Sequence, residues 1–190
     1  MTQAFLYAKN FNGDLSRWNT SAVSSMKSAF YGASLLDFDP SGWDTSRVTT
    51  MACLFSPFPG CKGLANDEGC NLNRGVGQFN DDISAWDTSS VTNMYGMFGD
   101  NSQFNKDISG WDTGRVTTME QMFAYAPKFD QPLQSWDVSR VTSMAQIFNR
   151  ATAFNQDLGW CVSADLTDAF VGTRCGSYDC GVSSPPSCVP

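Results

Sequence analysis

Six tryptophans divide this chain at a near-constant interval: Trp18, Trp43, Trp86, Trp111, Trp136 and Trp160. Three of the five gaps are 25 residues, one is 24, and one is 43, which is 25 plus an insertion of 18. A unit this short cannot bury its own apolar face and must stack on copies of itself. The spacing therefore predicts an α/β repeat solenoid with a 25-residue period over residues 1–160, interrupted by a loop at 56–78.

With each Trp as position 0, five apolar columns recur. Position −7 holds Phe11, Leu36, Phe79, Phe104 and Phe129, and position −3 holds Leu15, Ile83, Ile108 and Leu133, with Pro40 as the exception. Position +5 holds Val23, Val48, Val91, Val116 and Val141. Met26, Met51, Met94, Met119 and Met144 occupy +8, and Phe30, Phe55, Phe98, Phe123 and Phe148 occupy +12. These columns and the six tryptophans are expected to form the core, with ring-on-ring contact adding to plain area burial. The D-I-S-x-W half reads as a short strand between turn residues. The M-x-x-M-F-x-x-A half has apolar spacings of 3 and 4 and reads as a short helical turn. The D-T-S between them is turn and N-cap chemistry.

Three stretches carry a resemblance: F-N-Q-D-L at 154–158, W-D-T-S-S-V-T-N-M at 86–94 and M-F-A-Y-A at 122–126. The pattern resembles the BspA-like leucine-rich repeats of surface proteins, and more closely the 25-residue variant of mycoplasma-type surface lipoproteins. The resemblance covers residues 1–160 and implies leucine-rich-repeat-like coils and a role in surface adhesion or interaction. A role carried over from a fold is analogy.

Charge and composition exclude several classes. Net charge is −7, so a general nucleic-acid surface and attraction to anionic membranes are not expected. The chain has no histidine, which removes histidine triads and imidazole metal sites. No apolar run reaches the ~20 residues of a membrane span, and the first ten residues do not read as a signal peptide. No cofactor is expected, and the reading is non-enzymatic.

The places where the period fails are informative. Met1, Phe5 and Ala8 fall on the Met, Phe and Ala columns, so the sequence starts inside a repeat. Either the chain is a piece of a longer protein, or the open end docks on a partner or a second copy. The 56–78 insertion carries Cys61 and Cys70, and a bridge between them would make it a compact knob. Cys53 shares a column with Ser28, Gly96, Gln121 and Gln146, which places it near the surface and within reach of the insertion. Residues 161–182 read as a disulfide-stapled cap and 183–190 as a Pro/Ser tail. Over 165–171 a helix-like stretch would lay Leu166 and Phe170 on the last coil. Cys161–Cys175 is the first choice of pair there, with Cys180–Cys188 beside it, although four cysteines allow three connectivities. Seven cysteines point to a secreted, cell-surface or luminal oxidising compartment.

Aspartates form two columns. Asp14, Asp39, Asp82 and Asp107, with Asp157 one residue out of register, precede Leu, Ile or Pro; Asp44, Asp87, Asp112 and Asp137 follow Trp. Stacked carboxylates repel unless paired, hydrogen-bonded or bridged by a cation. Turn capping, with Arg47, Arg115 and Arg140 as counter-charges, competes with a calcium ladder built on Asp82, Asp107, Asp87 and Asp112. Asn12, Asn80, Asn105 and Asn155 are expected as a buried ladder bonding turn backbone. Threonine columns at Thr45, Thr88 and Thr113 and at Thr49, Thr92, Thr117 and Thr142 raise an ice-binding face as a lesser alternative. The leading expectation is an interaction scaffold that meets a protein or cell-surface partner through its solenoid face, insertion or open edge. Specificity would lie at Arg17, Gly42, Ala85, Gly110 and Ser135 and at Lys27, Tyr95, Glu120, Gln121 and Gln146. Tyr95, Tyr125 and Arg150 are the preferred anchors.

Overall fold

The computed structural model describes residues 1–36, 38–56 and 77–185, without the side chains of 176–178. Its regular unit is a rung of backbone from position +7 to position +14: 25–32, 50–56, 93–100, 118–125 and 143–150. In the rung 118–125, Met119, Gln121, Phe123 and Tyr125 donate their N–H to Ser143, Ala145, Ile147 and Asn149 of the next rung, at 3.0, 3.0, 2.8 and 2.7 Å. The alternate residues Met122, Ala124 and Ala126 donate back three positions, each at 3.1 Å. Every N–H from Met119 to Ala126, apart from that of Glu120, which bonds the Thr118 hydroxyl, thus alternates between the next rung and a local turn. This is how a chain with little regular secondary structure meets its backbone hydrogen-bonding requirement.

That alternation has a conformational condition. Positions +10 and +14 are each the third residue of a four-residue turn, where type II turns need a positive φ. Ser28, Cys53, Gly96, Gln121 and Gln146 sit at +10 with φ between 53° and 58°. Gly32, Asp100, Tyr125 and Arg150 sit at +14 with φ between 56° and 76°. At Gly32 (φ 76°) an added Cβ would come within 2.7 Å of the Tyr7 ring, so a larger residue there would have to displace that ring as well as take a left-handed backbone. The M-x-x-M-F half is therefore a run of turns and not a helical turn, because a left-handed residue falls inside it in every repeat.

The D-I-S-x-W half differs from expectation in the same way. Trp43, Trp86, Trp111 and Trp136 donate N–H to the residue three before, at 3.0–3.2 Å, so the segment is a turn and not a strand. Parallel bridges occur instead at +7, linking Ser25, Thr50, Asn93, Thr118 and Ser143 in order and ending on Asp165. Thr50 pairs with Asn93 in the same register as the other neighbours, so the insertion leaves the stacking register intact.

The core lies between the rungs and the turns. Phe30, Phe55, Phe98, Phe123 and Phe148 stack in sequence with centroids 5.4–6.0 Å apart and near-parallel planes. Phe79, Phe104, Phe129 and Phe154 form a second column at 5.9–6.2 Å. Met94, Met119 and Met144 are fully buried. Five tryptophans are buried, and each indole N–H donates to the carbonyl at −3 of the preceding repeat: Leu15, Pro40, Ile83, Ile108 and Leu133, at 3.0–3.2 Å. The bond uses a main-chain oxygen, which proline keeps, so Pro40 fits the column without penalty. Trp18 departs from the core assignment: it is 44% exposed, with Phe5 packed against it at 5.5 Å.

Residues 165–172 are a further rung and not a helix. Asp168 has a φ of 54°, which breaks any helix, and Asp165, Thr167, Ala169 and Val171 accept N–H from Met144, Gln146, Phe148 and Arg150. Phe170 stacks on Phe148 at 6.0 Å, as an aromatic rung residue and not through an i, i+4 helical face. A 3-10 turn over Gly176–Gly181 then brings Cys175 and Cys180 into a disulfide. This replaces the expected Cys161–Cys175 and Cys180–Cys188 pairs, because the turn places the fifth residue after Cys175 back beside it. Cys161 and Cys53 are each disulfide-bonded to a cysteine outside the described residues. Cys53 is buried and not near the surface: its sulfur is held in a disulfide and its N–H donates to Tyr95 O at 2.8 Å. Cys61, Cys70 and Cys188, with the Cys61–Cys70 bridge, lie outside the described residues.

Candidate functional site

The repeat carries several polar columns, and the structure separates those engaged in holding the fold from those open to a partner. The aspartates belong to the first group. Asp14, Asp39, Asp82 and Asp107 each accept the backbone N–H of the serine two residues on, at 2.8–2.9 Å. Asp44, Asp87, Asp112 and Asp137 do the same with Ser46, Ser89, Gly114 and Ser139, at 2.9–3.0 Å. Each is an Asx turn that starts a corner of the repeat. No group of three acidic, cysteine or histidine side chains able to hold a metal occurs among the described residues. One carboxylate oxygen of each aspartate is engaged with its own turn, which is the capping arrangement.

The hydrogen bonds set the acidity of seven of these groups. For Asp14, Asp39, Asp44, Asp87 and Asp137 the serine hydroxyl is the larger cause and its amide the second, and both hold the carboxyl below its ordinary value. For Asp82 and Asp107 the amide leads. Arg47 and Arg140 add a smaller attraction at Asp44 and Asp137. A pKa that is lower folded than unfolded contributes stability that is complete above the unfolded value, ~3.9 for aspartate. That stability is lost as pH falls through the folded value. The expected outcome is a melting temperature that holds between pH 7 and 5 and falls below about pH 4, modestly because each group is exposed to solvent. Thermal melts across that range check it, and a flat or rising melting temperature down to pH 2.5 would contradict it.

Threonine and asparagine also serve the stack. Thr20, Thr45, Thr88 and Thr113 are buried, and each hydroxyl donates to the carbonyl at +1 of the next repeat, at 2.9–3.0 Å. Only Thr49, Thr92, Thr117 and Thr142 are exposed, and their hydroxyls bond the preceding threonine or serine carbonyl at 3.1 Å. The two columns therefore do not form one threonine surface. Asn80, Asn105 and Asn155 are exposed and not buried. Asn80, Asn105 and Asp130 each accept the backbone N–H of the next column member, at 2.9 Å, so the ladder closes the outside of the stack.

The remaining polar face is the outer side of the rungs. Here Tyr95 donates its hydroxyl to Gln121 Oε1 at 3.2 Å, and Gln121 Nε2 donates to Gln146 Oε1 at 2.8 Å. Glu120 accepts from the Ser143 hydroxyl at 3.4 Å. The Arg150 guanidinium lies over the Tyr125 ring, 5.7 Å from its centroid. Tyr125 and Arg150 are both left-handed +14 residues, so the backbone that completes the turns also aims these side chains. Tyr95, Glu120, Gln121 and Tyr125 are half-buried and Arg150 is exposed. Arg17, Gly42, Ala85, Gly110 and Ser135 are exposed too, but they sit at the Asx corner before each Trp, away from the rungs.

Two features were missed by sequence reasoning. Asn12, Leu35, Leu36, Gln78, Asn80 and Asp81 line a shallow groove of ≈470 Å³ beside the insertion, with Leu35 52% exposed. The other is the left-handed columns, whose sequence signal was available: neither +10 nor +14 holds a β-branched residue in any described repeat. No helix among the described residues is long and apolar enough to cross a membrane. No curated protein and no solved structure matches the chain. The model of one family, described as Mycoplasma protein of unknown function, DUF285, matches residues 1–65 and 70–169, and the chain with its stacked 25-residue unit belongs to that family.

Proposed function

We propose that the chain is a non-enzymatic, leucine-rich-repeat-like solenoid of the BspA-like type, which binds a protein or cell-surface partner through the outer side of its rungs. The observation that carries this reading is the alignment of Tyr95, Gln121 and Gln146 from three successive repeats, with Arg150 over Tyr125 beside them. A rigid stack offers such side chains at fixed spacing, so little ordering entropy is lost on contact. Tyrosine and arginine are the residue types that most often dominate interface energetics. A face of neutral amides and rings, with Glu120 and Arg150 as opposite charges, suits a protein or glycan surface better than a polyanion, in keeping with the net charge of −7. The disulfide-bonded cysteines fit an oxidising, extracellular setting.

The test is binding of the labelled chain to cultured cells and to immobilised extracellular-matrix proteins. Saturable binding is expected, weakened at least about tenfold by joint Tyr125→Ala and Arg150→Ala substitution, the equivalent of ~1.4 kcal/mol. Arg115→Ala, at the Asx corner, should leave it unchanged. Absence of saturable binding, or equal loss in the Arg115 control, would overturn the reading.

A further inference from the structure

We propose that Asn19 is an acceptor for an N-linked glycan, transferred from a polyprenyl-diphosphate-linked oligosaccharide. Position +1 holds Asp44, Asp87, Asp112 and Asp137, but in the first repeat it holds asparagine. That one exchange turns the D-T-S corner into Asn19-Thr20-Ser21, an N-x-[ST] triplet without proline at its centre. No other asparagine in the sequence stands in such a triplet. As caps of a turn, asparagine and aspartate are nearly equal, so the fold gives no reason for the exchange. They differ in chemistry: only the amide offers a nitrogen that can carry a sugar.

The corner presents that nitrogen. Ser21 donates its N–H and its hydroxyl to Asn19 Oδ1 at 3.1 and 2.7 Å, as Ser46 does to Asp44 Oδ1 at 3.0 and 2.6 Å. Both bonds use the oxygen, and Asn19 Nδ2 donates to no acceptor among the described residues. Thr20 is buried, and its hydroxyl donates to Asp44 O at 3.0 Å, which pins the corner to the next repeat. Asn19 and Ser21 on either side of it are exposed. That exposure belongs to the corner and not to the place of the repeat in the chain, since Asp44, Asp87, Asp112 and Asp137 are exposed at the same position. A glycan on Nδ2 therefore reaches solvent while the turn keeps the oxygen it needs. In the transfer, Nδ2 attacks the anomeric carbon of the carrier-linked sugar. The nitrogen–carbon bond forms as the carbon–oxygen bond to the diphosphate breaks, and the polyprenyl diphosphate leaves with the bonding pair. The amide gives up one proton to a base of the transferase, and nothing is oxidised or reduced. N-linked acceptors belong to secreted proteins, and the disulfide-bonded Cys53, Cys161, Cys175 and Cys180 agree with that setting.

The inference shares the oxidising setting of the proposed function and none of its rung-face residues, so either can fail without the other. The test is secretion of the 190-residue chain from a eukaryotic host, with intact mass measured before and after peptide N-glycosidase digestion. One glycan per chain is expected, and digestion in heavy-oxygen water should leave its label on residue 19. Ser21→Ala keeps Asn19 but removes the hydroxyl that the triplet requires, so it should carry no glycan, whereas Ser21→Thr should carry one. Asn19→Asp restores the residue of the other repeats and should be secreted folded and unmodified. Asp87→Asn creates the same triplet at an interior corner and should add a second glycan, because Thr88 and Ser89 complete it there. A secreted wild-type chain without a glycan would overturn the proposal, whether or not the Asp87→Asn variant gains one. So would a glycan that persists in Asn19→Asp or in Ser21→Ala.

Discussion

Phe123→Ala is expected to destabilise the chain by about 3–5 kcal/mol, the range for truncating a buried aromatic residue. Phe123 is fully buried and touches four other rings: Phe98 at 5.6 Å, Phe148 at 5.4 Å, Phe129 at 3.9 Å and Trp136 at 6.4 Å. Removing it opens a cavity between two rungs whose backbones are held by hydrogen bonds and cannot collapse together. For a chain of this size, 1 kcal/mol corresponds to roughly 2–4 °C, so the melting temperature should fall by about 6–20 °C. Urea unfolding followed by tryptophan fluorescence checks the figure. Phe123→Leu keeps most of the volume and should cost markedly less. A loss below about 1 kcal/mol for the alanine variant would mean that the ring column is not what binds the rungs.

Gln121 offers a second test, through two substitutions that act in opposite ways. Its φ of 57° is left-handed, and its N–H donates to Ala145 O at 3.0 Å. Proline forces φ to about −65° and has no N–H. Gln121→Pro should therefore cost ~3 kcal/mol or more and detach one rung from the next. Glycine adopts a positive φ without strain, whereas another residue pays roughly 1–2 kcal/mol there. Gln121→Gly loses the side-chain bonds to Tyr95 and Gln146 but relieves that strain, so its stability should stay within ~1 kcal/mol of wild type. Equal damage from both variants would show that the side chain, and not the backbone conformation, is what matters. Denaturant midpoints for the two variants decide between these.

The apolar columns were legible because they report burial, and burial follows the period directly. Phe123, Met119 and Trp111 could be placed in the core from spacing alone. The local conformation was not legible. A spacing of 3 and 4 between Met119, Met122 and Ala126 fits a helix, but Gln121 and Tyr125 lie within that run and are left-handed. Propensity reasoning weighs each residue by its average behaviour, and glutamine and tyrosine rarely take positive φ. Tertiary hydrogen bonds impose it here, because each rung must supply donors to the next at every second residue. The absence of β-branched residues from both columns is the trace this leaves in the sequence.

The candidate surface divides in the same way. Tyr95, Tyr125 and Arg150 could be named from residue type and variability, but not brought together, since they come from separate repeats. The aspartate, threonine and asparagine columns looked equivalent in one dimension. Only the stacked structure shows that the aspartates hold their own turns, that one threonine column is buried, and that the asparagines bridge repeats on the outside. The cysteines show the limit most plainly: their clustering is visible in sequence, while the Cys175–Cys180 pair follows from a turn that residue spacing does not encode.

The residue order alone thus establishes the period, the core columns and the position of the insertion, because stacking identical units puts identical residues in contact. The tertiary structure alone decides the backbone conformation, the roles of the polar columns and the disulfide pairing. Those depend on which N–H meets which carbonyl one repeat away, and no local preference carries that information.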